Sequence, residues 1–517
     1  MRMAPLRAAV LAALLAAPLR AQDARGPEAP ADSADVDSIV PPAVAREFRG
    51  VWVASVANID WPSKPGLSTW EQQAELLAIL DKAVALHLNA IVLQVRPSAD
   101  ALYASKYEPW SAFLTGRMGR APEPAWDPLA FAVREAHARG LALHAWFNPF
   151  RARHPADTGR AAATHVTRRD PGIVHRYGPY DWMDPGSAET RRLAMRAILD
   201  VVKRYDIDGV HIDDYFYPYP ETNGRGREIE FPDAATYRAY RKRGGTLDRD
   251  DWRRHNVDLF VEQVGKAIHD AKPWVLFGVS PFGIWRPGNP PSVKGFDAYA
   301  RIYADSRKWL ASGWVDYLSP QLYWSIDSPG QGYAALLQWW VDQNAKHRHL
   351  WVGNYTSRVG ATSGPSWRAS EIVQQVKLTQ QQAGAGGNIH FSMAAFMADS
   401  DSLSEKIVAQ DYAQPALIPA SPWLDRTTPA RPVVTLSTDS ASGERRVTMR
   451  PGGKESVWQW VVQARTDTTW TTTILRSDQR VHALLGPEAD ADVIAVTAVD
   501  RVGNASRPVI VRWRRSP

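Results

Sequence analysis

Between residues 48 and 409, apolar runs of strand length alternate eight times with amphipathic stretches of helix length. The strand readings fall at 48–56, 90–96, 141–148, a run beginning at 208, then 275–280, 317–324, 350–355 and 388–394. Helical periodicity follows each one, at 71–88, 128–139, 187–204, 251–271, 299–311, 332–346, 369–383 and 402–409. Ser68 or Thr69 caps the first of these. Repeated strand–helix alternation forces parallel strands joined by right-handed crossovers. Eight such units predict a closed (β/α)8 barrel of TIM type. The other fold open to this alternation, a doubly wound sheet, usually carries a Gly-rich phosphate turn after an early strand, and none occurs here.

In a (β/α)8 barrel, chemistry sits where the strands end. Polar residues gather at those ends: Asp60, Gln94, Arg96, His144, Asn148, Asp213, Asp214, Ser280, Gln321, Tyr323 and Asn354. The loops at the opposite end, such as 85–89 and 138–140, are short. The fourth strand is the most pointed. Its period of two sends Val210 and Ile212 toward the helices and His211, Asp213 and Tyr215 into the barrel. It ends in two carboxylates, Asp213 and Asp214, followed by Tyr215, Phe216, Tyr217 and Tyr219. An acid beside flat rings suits glycoside cleavage, since the acid protonates the leaving oxygen and the rings stack on sugar faces.

Two acids normally flank the scissile bond. Consecutive residues diverge on a strand, so the partner of Asp213 or Asp214 is sought on another loop. Glu221 and Asp60 lead, with Asp100, Asp184 and Asp327 behind them. The candidates for holding the sugar are Arg96, His144, Trp146, Asn148, His211, Tyr215, Gln321, Tyr323 and Trp324. Arg96 suits an acidic or N-acetyl substituent, or a neighbouring Asp213. His144 suits a proton relay, a sugar hydroxyl or a purely structural place. Gln321 and Tyr323 suit hydroxyl groups, and Trp146 and Trp324 suit stacking. The His and Asp residues at the mouth lack a metal-ligand spacing, so no metal or other cofactor is implied. No Gly-x-Ser-x-Gly elbow supports a serine nucleophile.

The rest of the chain sets the context. Arg2 and Arg7, an apolar run over 8–17 and a cut before Gln22 read as a signal peptide over 1–21, hence as an exported, periplasmic or extracellular protein. Residues 22–46 read as a flexible leader, 47–411 as the barrel and 412–432 as a Pro-rich linker. The short alternating strands in 433–517 read as a β-sandwich of fibronectin type III or immunoglobulin style, which either packs on the barrel or binds glycan independently. No apolar run has the length of a transmembrane helix. Cys is absent, which removes disulfides and thiolate metal sites. A net charge of +6 without a concentrated basic stripe is no nucleic-acid signature, though it tolerates an anionic polymer. The 22 Trp and 17 Tyr residues suit a polysaccharide partner.

Several segments together resemble the glycosyl-hydrolase-like family 10. They are Arg49-Gly50-Val51-Trp52-Val53-Ala54, Asp60-Trp61-Pro62, Gln94-Val95-Arg96-Pro97, Glu108-Pro109-Trp110-Ser111, His144-Ala145-Trp146-Phe147-Asn148-Pro149-Phe150-Arg151, the run from Asp208 to Pro218, Gly278-Val279-Ser280-Pro281-Phe282-Gly283 and Pro320-Gln321-Leu322-Tyr323-Trp324. The resemblance implies a (β/α)8 barrel exported to the bacterial envelope that hydrolyses glycan strands, with peptidoglycan stripped of its stem peptides as the substrate. It places the family's acidic strand end at Asp213 and Asp214. Many barrel glycosidases carry an acid at the end of strand seven, where this chain has Asn354 and Tyr355. A glycan-binding barrel without catalysis is therefore the rival expectation.

Overall fold

The structure is a computed structural model and describes residues 39–513. The expected signal peptide and most of the leader lie outside the described residues. The barrel strands are β1 (Phe48–Val53), β2 (Ala90–Arg96), β3 (Ala142–Phe147), β4 (Gly209–Ile212), β5 (Leu276–Val279), β6 (Tyr317–Leu318), β7 (His349–Leu350 and Val352–Asn354) and β8 (Gly387–His390). All neighbouring pairs are parallel. The halves of β7 flank the single residue Trp351. The first half pairs with β6 and the second with β8, so the ring closes through one strand.

The main helix after each barrel strand is, in order, α1 (Thr69–Ala85), α2 (Pro128–His137), α3 (Ala188–Arg204), α4 (Arg249–Ala271), α5 (Ser306–Ser312), α6 (Tyr333–Asp342), α7 (Ala369–Gln381) and α8 (Leu403–Gln410). Their starts follow cap chemistry. Ser68 and Glu71 form a reciprocal capping box on α1, and Asp127 caps α2 ahead of Pro128. The helix expected at 299–311 is two pieces, because Asp297 caps one turn (Ala298–Arg301) and Asp305 starts α5 afresh.

Alternation along the strands separates two cores. Val51, Val53, Ile91, Leu93, Leu143, Val210, Ile212 and Phe277 pack outward with the helices. Phe48, Trp52, Val92, Trp146, Tyr317, Trp351 and Ile389 fill the barrel's inside. Val210 and Ile212 thus face as their spacing predicts.

Seven antiparallel strands follow: β9 (Val433–Thr438), β10 (Arg445–Arg450), β11 (Gln459–Thr466), β12 (Thr469–Arg476), β13 (Val481–Ala483), β14 (Val493–Val499) and β15 (Val509–Arg512). They form a sheet β9-β10-β13 and a sheet β12-β11-β14-β15 around Val447, Met449, Trp460, Val462, Ile494 and Val496. β13 has no counterpart in the sequence reading, since three residues are too few for a pattern.

These sheets sit under the barrel, at the N-terminal ends of its strands. Arg501 donates to Asp206 and Asp208 just ahead of β4, and Arg476 Nη1 reaches the Ala138 carbonyl. Two strand pairs, β3 with β4 and β5 with β6, share one device here. Asp208 Oδ2 accepts from the Leu143 amide and contacts His137, while Asp316 Oδ2 accepts from the Phe277 amide and contacts His269. The other oxygen of each is taken from below, by Arg501 and by Trp423 respectively.

The segment read as a linker is a packed strap. Tyr412 OH meets His390, Ser421 Oγ meets His349 and Trp423 Nε1 meets Asp316. Part of the expected flexible leader is held too, since Arg46 bridges Leu417 and the Pro42 carbonyl accepts from Gln463. Backbone pairing and aromatic burial fix both segments, and composition alone cannot show either. Among the described residues, no helix is long and apolar enough to cross a membrane.

Candidate active site

Strand β4 ends at Ile212, and a bend at Asp214 follows, with the Phe216 amide on the Asp214 carbonyl. The strict alternation that would separate Asp213 from Asp214 therefore stops at the point where it matters. Both side chains are 4 % exposed. Burial is the main force raising each carboxyl's pKa, and each charge also resists the other's ionisation. Arg151 acts on both in the opposite sense. Both carboxylates also raise the hydroxyls of Tyr215, Tyr219 and Tyr323, behind the larger effect of burial. The two acids thus act on one another and on the same Arg151 and Tyr215, although their hydrogen-bond partners differ.

A relay from the first strand aims Asp213. The Ser55 and Val56 amides donate to Gln94 Oε1, at 2.9 and 2.8 Å. Gln94 Nε2 then donates to Asn148 Oδ1 at 2.6 Å, and Asn148 Nδ2 donates to Asp213 Oδ2. This chain fixes the Asn148 amide with its nitrogen toward the acid. Trp146 Nε1 joins at 3.2 Å on the same oxygen, which leaves Asp213 Oδ1 with only the Tyr215 amide at 3.4 Å. Asp214 Oδ2 accepts from Tyr219 OH and is also hydrogen-bonded by Gln321, whose Nε2 donates to the Ser280 carbonyl. Arg151 lies 4.4 Å from the Tyr215 ring centre and donates to Asn148 Oδ1 at 3.2 Å.

Several expected ligands of the sugar have other tasks. His211 is fully buried; its Nε2 faces Trp52 Nε1 and Ser280 Oγ at 3.0 Å each. An indole N–H only donates, so His211 Nδ1 carries the proton and donates to Tyr317 OH, which donates in turn to His144 Nδ1. Burial pushes His144 down to about 4 and His211 well below the usual imidazole range, so both stay neutral. His144 borders a partly enclosed cavity of about 50 Å³ under the barrel, away from the mouth. Trp146 is 6 % exposed and offers its N–H to Asp213, with no free face for stacking. Arg96 is spent on Glu108 through two hydrogen bonds of 2.8 and 2.5 Å, and on the Asn148 carbonyl. It braces the loop after β2 and does not meet Asp213.

The expected second acids also have partners of their own. Asp60 accepts from the Ala54 and Ala394 amides and Ser392 Oγ, each at 2.7 Å, which ties the loop after β1 to the loop after β8. Burial raises it to about 6 against those three donors. Glu221 lies against Gly178 in the turn of an inserted hairpin, where a Cβ would come within 2.7 Å of the Glu221 side chain. Asp100 accepts from the Ser98 amide, and Asp184 from Thr236 and the Gly186 amide.

The half-buried rings that remain wall the mouth. Tyr323 lies 4.8 Å from Tyr355 and 6.0 Å from Phe391, and Trp324 lies 5.5 Å from Phe282. Tyr215 and Tyr219 meet edge to face at 5.6 Å. Sequence reasoning did not single out Arg151 or Tyr317, although Arg151 sits three residues beyond Asn148 in one motif. Among the described residues, no three His, Asp or Glu side chains converge as a metal-holding set.

Residues 47–369 match the family model described as glycosyl hydrolase-like 10. The chain is 38 % identical over 481 residues to glycosyl hydrolase YngK of Bacillus subtilis (strain 168), covering 89 % of this chain and 92 % of that protein. It is 34 % identical over 384 residues to glycosyl hydrolase DigH of Escherichia coli (strain K12), covering 68 % and 85 %. A solved structure, the PgaB (BpsB) glycoside hydrolase domain from Bordetella bronchiseptica, is similar at 15 % identity and a TM-score of 0.47, covering 71 % of this chain and 99 % of that one. With the barrel, the acidic end of β4 and the ordered motifs around it all in place, the chain belongs to the glycosyl hydrolase-like 10 family.

Proposed function

We propose that the protein is an exported glycoside hydrolase that cuts glycan strands, with peptidoglycan freed of its stem peptides as substrate. The observation that carries this reading is the buried Asp213–Asp214 pair, holding a proton near neutrality beneath a wall of half-buried rings. Two buried carboxyls that act on one another resist ionising together, so the pair carries one proton as a unit. The protonated member gives it to the glycosidic oxygen as the C1–O bond breaks. The ionised member faces the cationic sugar that forms. The proposed substrate carries 2-acetamido groups, and an adjacent carboxylate pair suits catalysis assisted by that group. The acetamido oxygen bonds to C1 while the ionised Asp holds its N–H. Water then opens the ring, losing its proton to the former acid, and the anomeric configuration is retained.

The test is digestion of amidase-treated glycan strands, with products weighed by mass spectrometry and their first anomer read by NMR. Release of short sugars with retained configuration, lost in Asp213→Asn and Asp214→Asn, is the expected result. One observation favours the rival glycan-binding reading. At the end of β7 the Asn354 side chain is locked to Tyr333, Gln375 and Asn388 in place of an acid. Tight binding without any sugar release decides for that rival.

A further inference from the structure

Two loops at the mouth end of the barrel, those after β2 and after β3, form an open cavity of about 580 Å³ lined by the exposed Arg117, Arg120, Arg160 and Arg168. No Asp or Glu lines it, and among the described residues none of the four arginines has a carboxylate within ion-pair distance. Elsewhere on this surface the arginines are commonly paired, as Arg153 is with Asp157 and Arg169 with Asp170. Four exposed guanidinium groups gathered without counter-charge make a local positive potential that attracts an anionic group.

The cavity is built from fixed backbone. Thr115 Oγ1 donates to the carbonyls of both Arg117 and Arg120, at 3.0 Å each. Gly119 has φ +83°, and a Cβ there would stand 2.9 Å from that of Ala162, so glycine lets the two loops close on each other. Arg153 Nη2 holds the Asp157 and Gly159 carbonyls, which sets the bend carrying Arg160.

A second observation ties this cavity to the acids. On the same two loops, ring contacts run toward Asp213 in four steps: Phe113, four residues before Arg117, to His154 (6.3 Å), His154 to Tyr180 (5.7 Å), Tyr180 to Trp182 (6.1 Å) and Trp182 to Tyr215 (6.3 Å). His154, Tyr180 and Tyr215 are half-buried and present ring surface, while Phe113 and Trp182 back them. Stacking faces leading to a cationic pocket suit a polysaccharide with carboxylate substituents at intervals.

We infer that this arginine cavity is a distal subsite for the free lactyl carboxylate of a muramic acid residue. The inference rests on the substrate class proposed above and deepens it. In intact peptidoglycan that carboxyl is an amide to the stem peptide and carries no charge. Removing the peptide restores one anion per disaccharide, and guanidinium forks match carboxylates in shape and charge. The cavity thereby distinguishes peptide-free strands by reading the group that peptide removal exposes.

The experiment uses the full chain, the triple variant R117Q/R120Q/R160Q and the cleavage-impaired D213N. Each is measured on amidase-treated strands, on the same strands with lactyl carboxyls converted to primary amides, and on carboxylate-free N-acetylglucosamine oligomers. The expected result is about tenfold weaker binding and higher KM for the triple variant on the charged strands, with kcat unchanged and the difference lost at high salt. On amidated strands the unsubstituted protein and the triple variant should coincide. Equal binding of charged strands by both proteins overturns the inference, and so does an equal loss on charged and amidated strands. D213N separates this from the proposed activity: carboxylate-dependent binding by D213N keeps the subsite whether or not the site cuts, and absence of sugar release by the unsubstituted protein removes the hydrolase alone.

Discussion

Asp208 and Asp213 stand at opposite ends of strand β4, both buried, and their environments push them in opposite directions. At the bottom, burial would raise Asp208, but the His137 hydrogen bond, the Arg501 ion pair and the Leu143 amide outweigh it and bring the carboxyl down to about 2. At the top, burial wins and takes Asp213 up to about 7 despite Arg151 and Asn148. The difference lies in where the donors are directed. Three donor groups from three elements converge on Asp208, one of them from the β-sandwich. Asp213 receives its side-chain donors on one oxygen and is opposed by the charge of Asp214. One end uses a carboxylate as a bolt, and the other keeps one poised to exchange a proton.

The most severe test of that contrast is to neutralise each end. Asp213→Asn and Asp214→Asn should each lower kcat by about 10³-fold, the scale of a lost general acid, with circular dichroism unchanged. Asp208→Asn should leave kcat within a few-fold of the unsubstituted rate, read from sugar release. An equal loss at both ends would mean that the mouth has no special chemistry. Next in size, Arg501→Ala should cost about 2 kcal/mol of stability, since it removes the cation from one oxygen of the buried Asp208 while His137 and the Leu143 amide stay on the other. Thermal melting should show that loss, while activity per folded molecule persists. If melting is unaffected, the sandwich is not bolted where Asp208 and Arg501 meet.

The barrel was legible because it repeats: eight copies of a local pattern leave few topologies open. The acidic end of β4 was legible for the same reason, from period two and a break into aromatics. Legibility failed wherever a contact joins distant segments. Arg96 pairs with Glu108 on its own loop, His144 and His211 share Tyr317 across the barrel, and Asp60 clamps a loop more than 300 residues away. No local period encodes such partners. The mutual influence of Asp213 and Asp214 was missed because it depends on β4 stopping at Ile212, and strand ends are the least determined part of any pattern.

A milder probe acts on the relay that aims Asp213. Asn148→Ala removes a donor that favours the ionised carboxylate, so the acid's pKa should rise further and the alkaline limb of the pH–rate profile should move up. Loss of aim should lower kcat about tenfold to a hundredfold. A lower kcat with an unmoved limb would make Asn148 a packing residue only. Gln94→Ala, one step further along the relay, should act in the same direction with less force.

The smallest effect gives the sharpest comparison, because the two ends of β4 must change stability with pH in opposite senses. Asp208 titrates lower folded than unfolded, so its contribution is present above the unfolded value of 3.8 and is lost as pH falls toward about 2. That shift corresponds to about 2 kcal/mol. Asp213 titrates higher folded than unfolded, so its contribution is present below 3.8 and disappears as pH rises through about 7. Asp213→Asn should therefore stabilise the protein by about 1 kcal/mol at pH 8, with the gain fading as the pH falls toward 4. Asp208→Asn should destabilise it at pH 8, with the deficit shrinking only below pH 4. Denaturant midpoints for both variants at pH 8, 6 and 4 decide the matter. Parallel curves would show that the two carboxylates are alike and that the mouth stores no unfavourable charge, whereas curves that cross over mark the strand as carrying stability at one end and reactivity at the other.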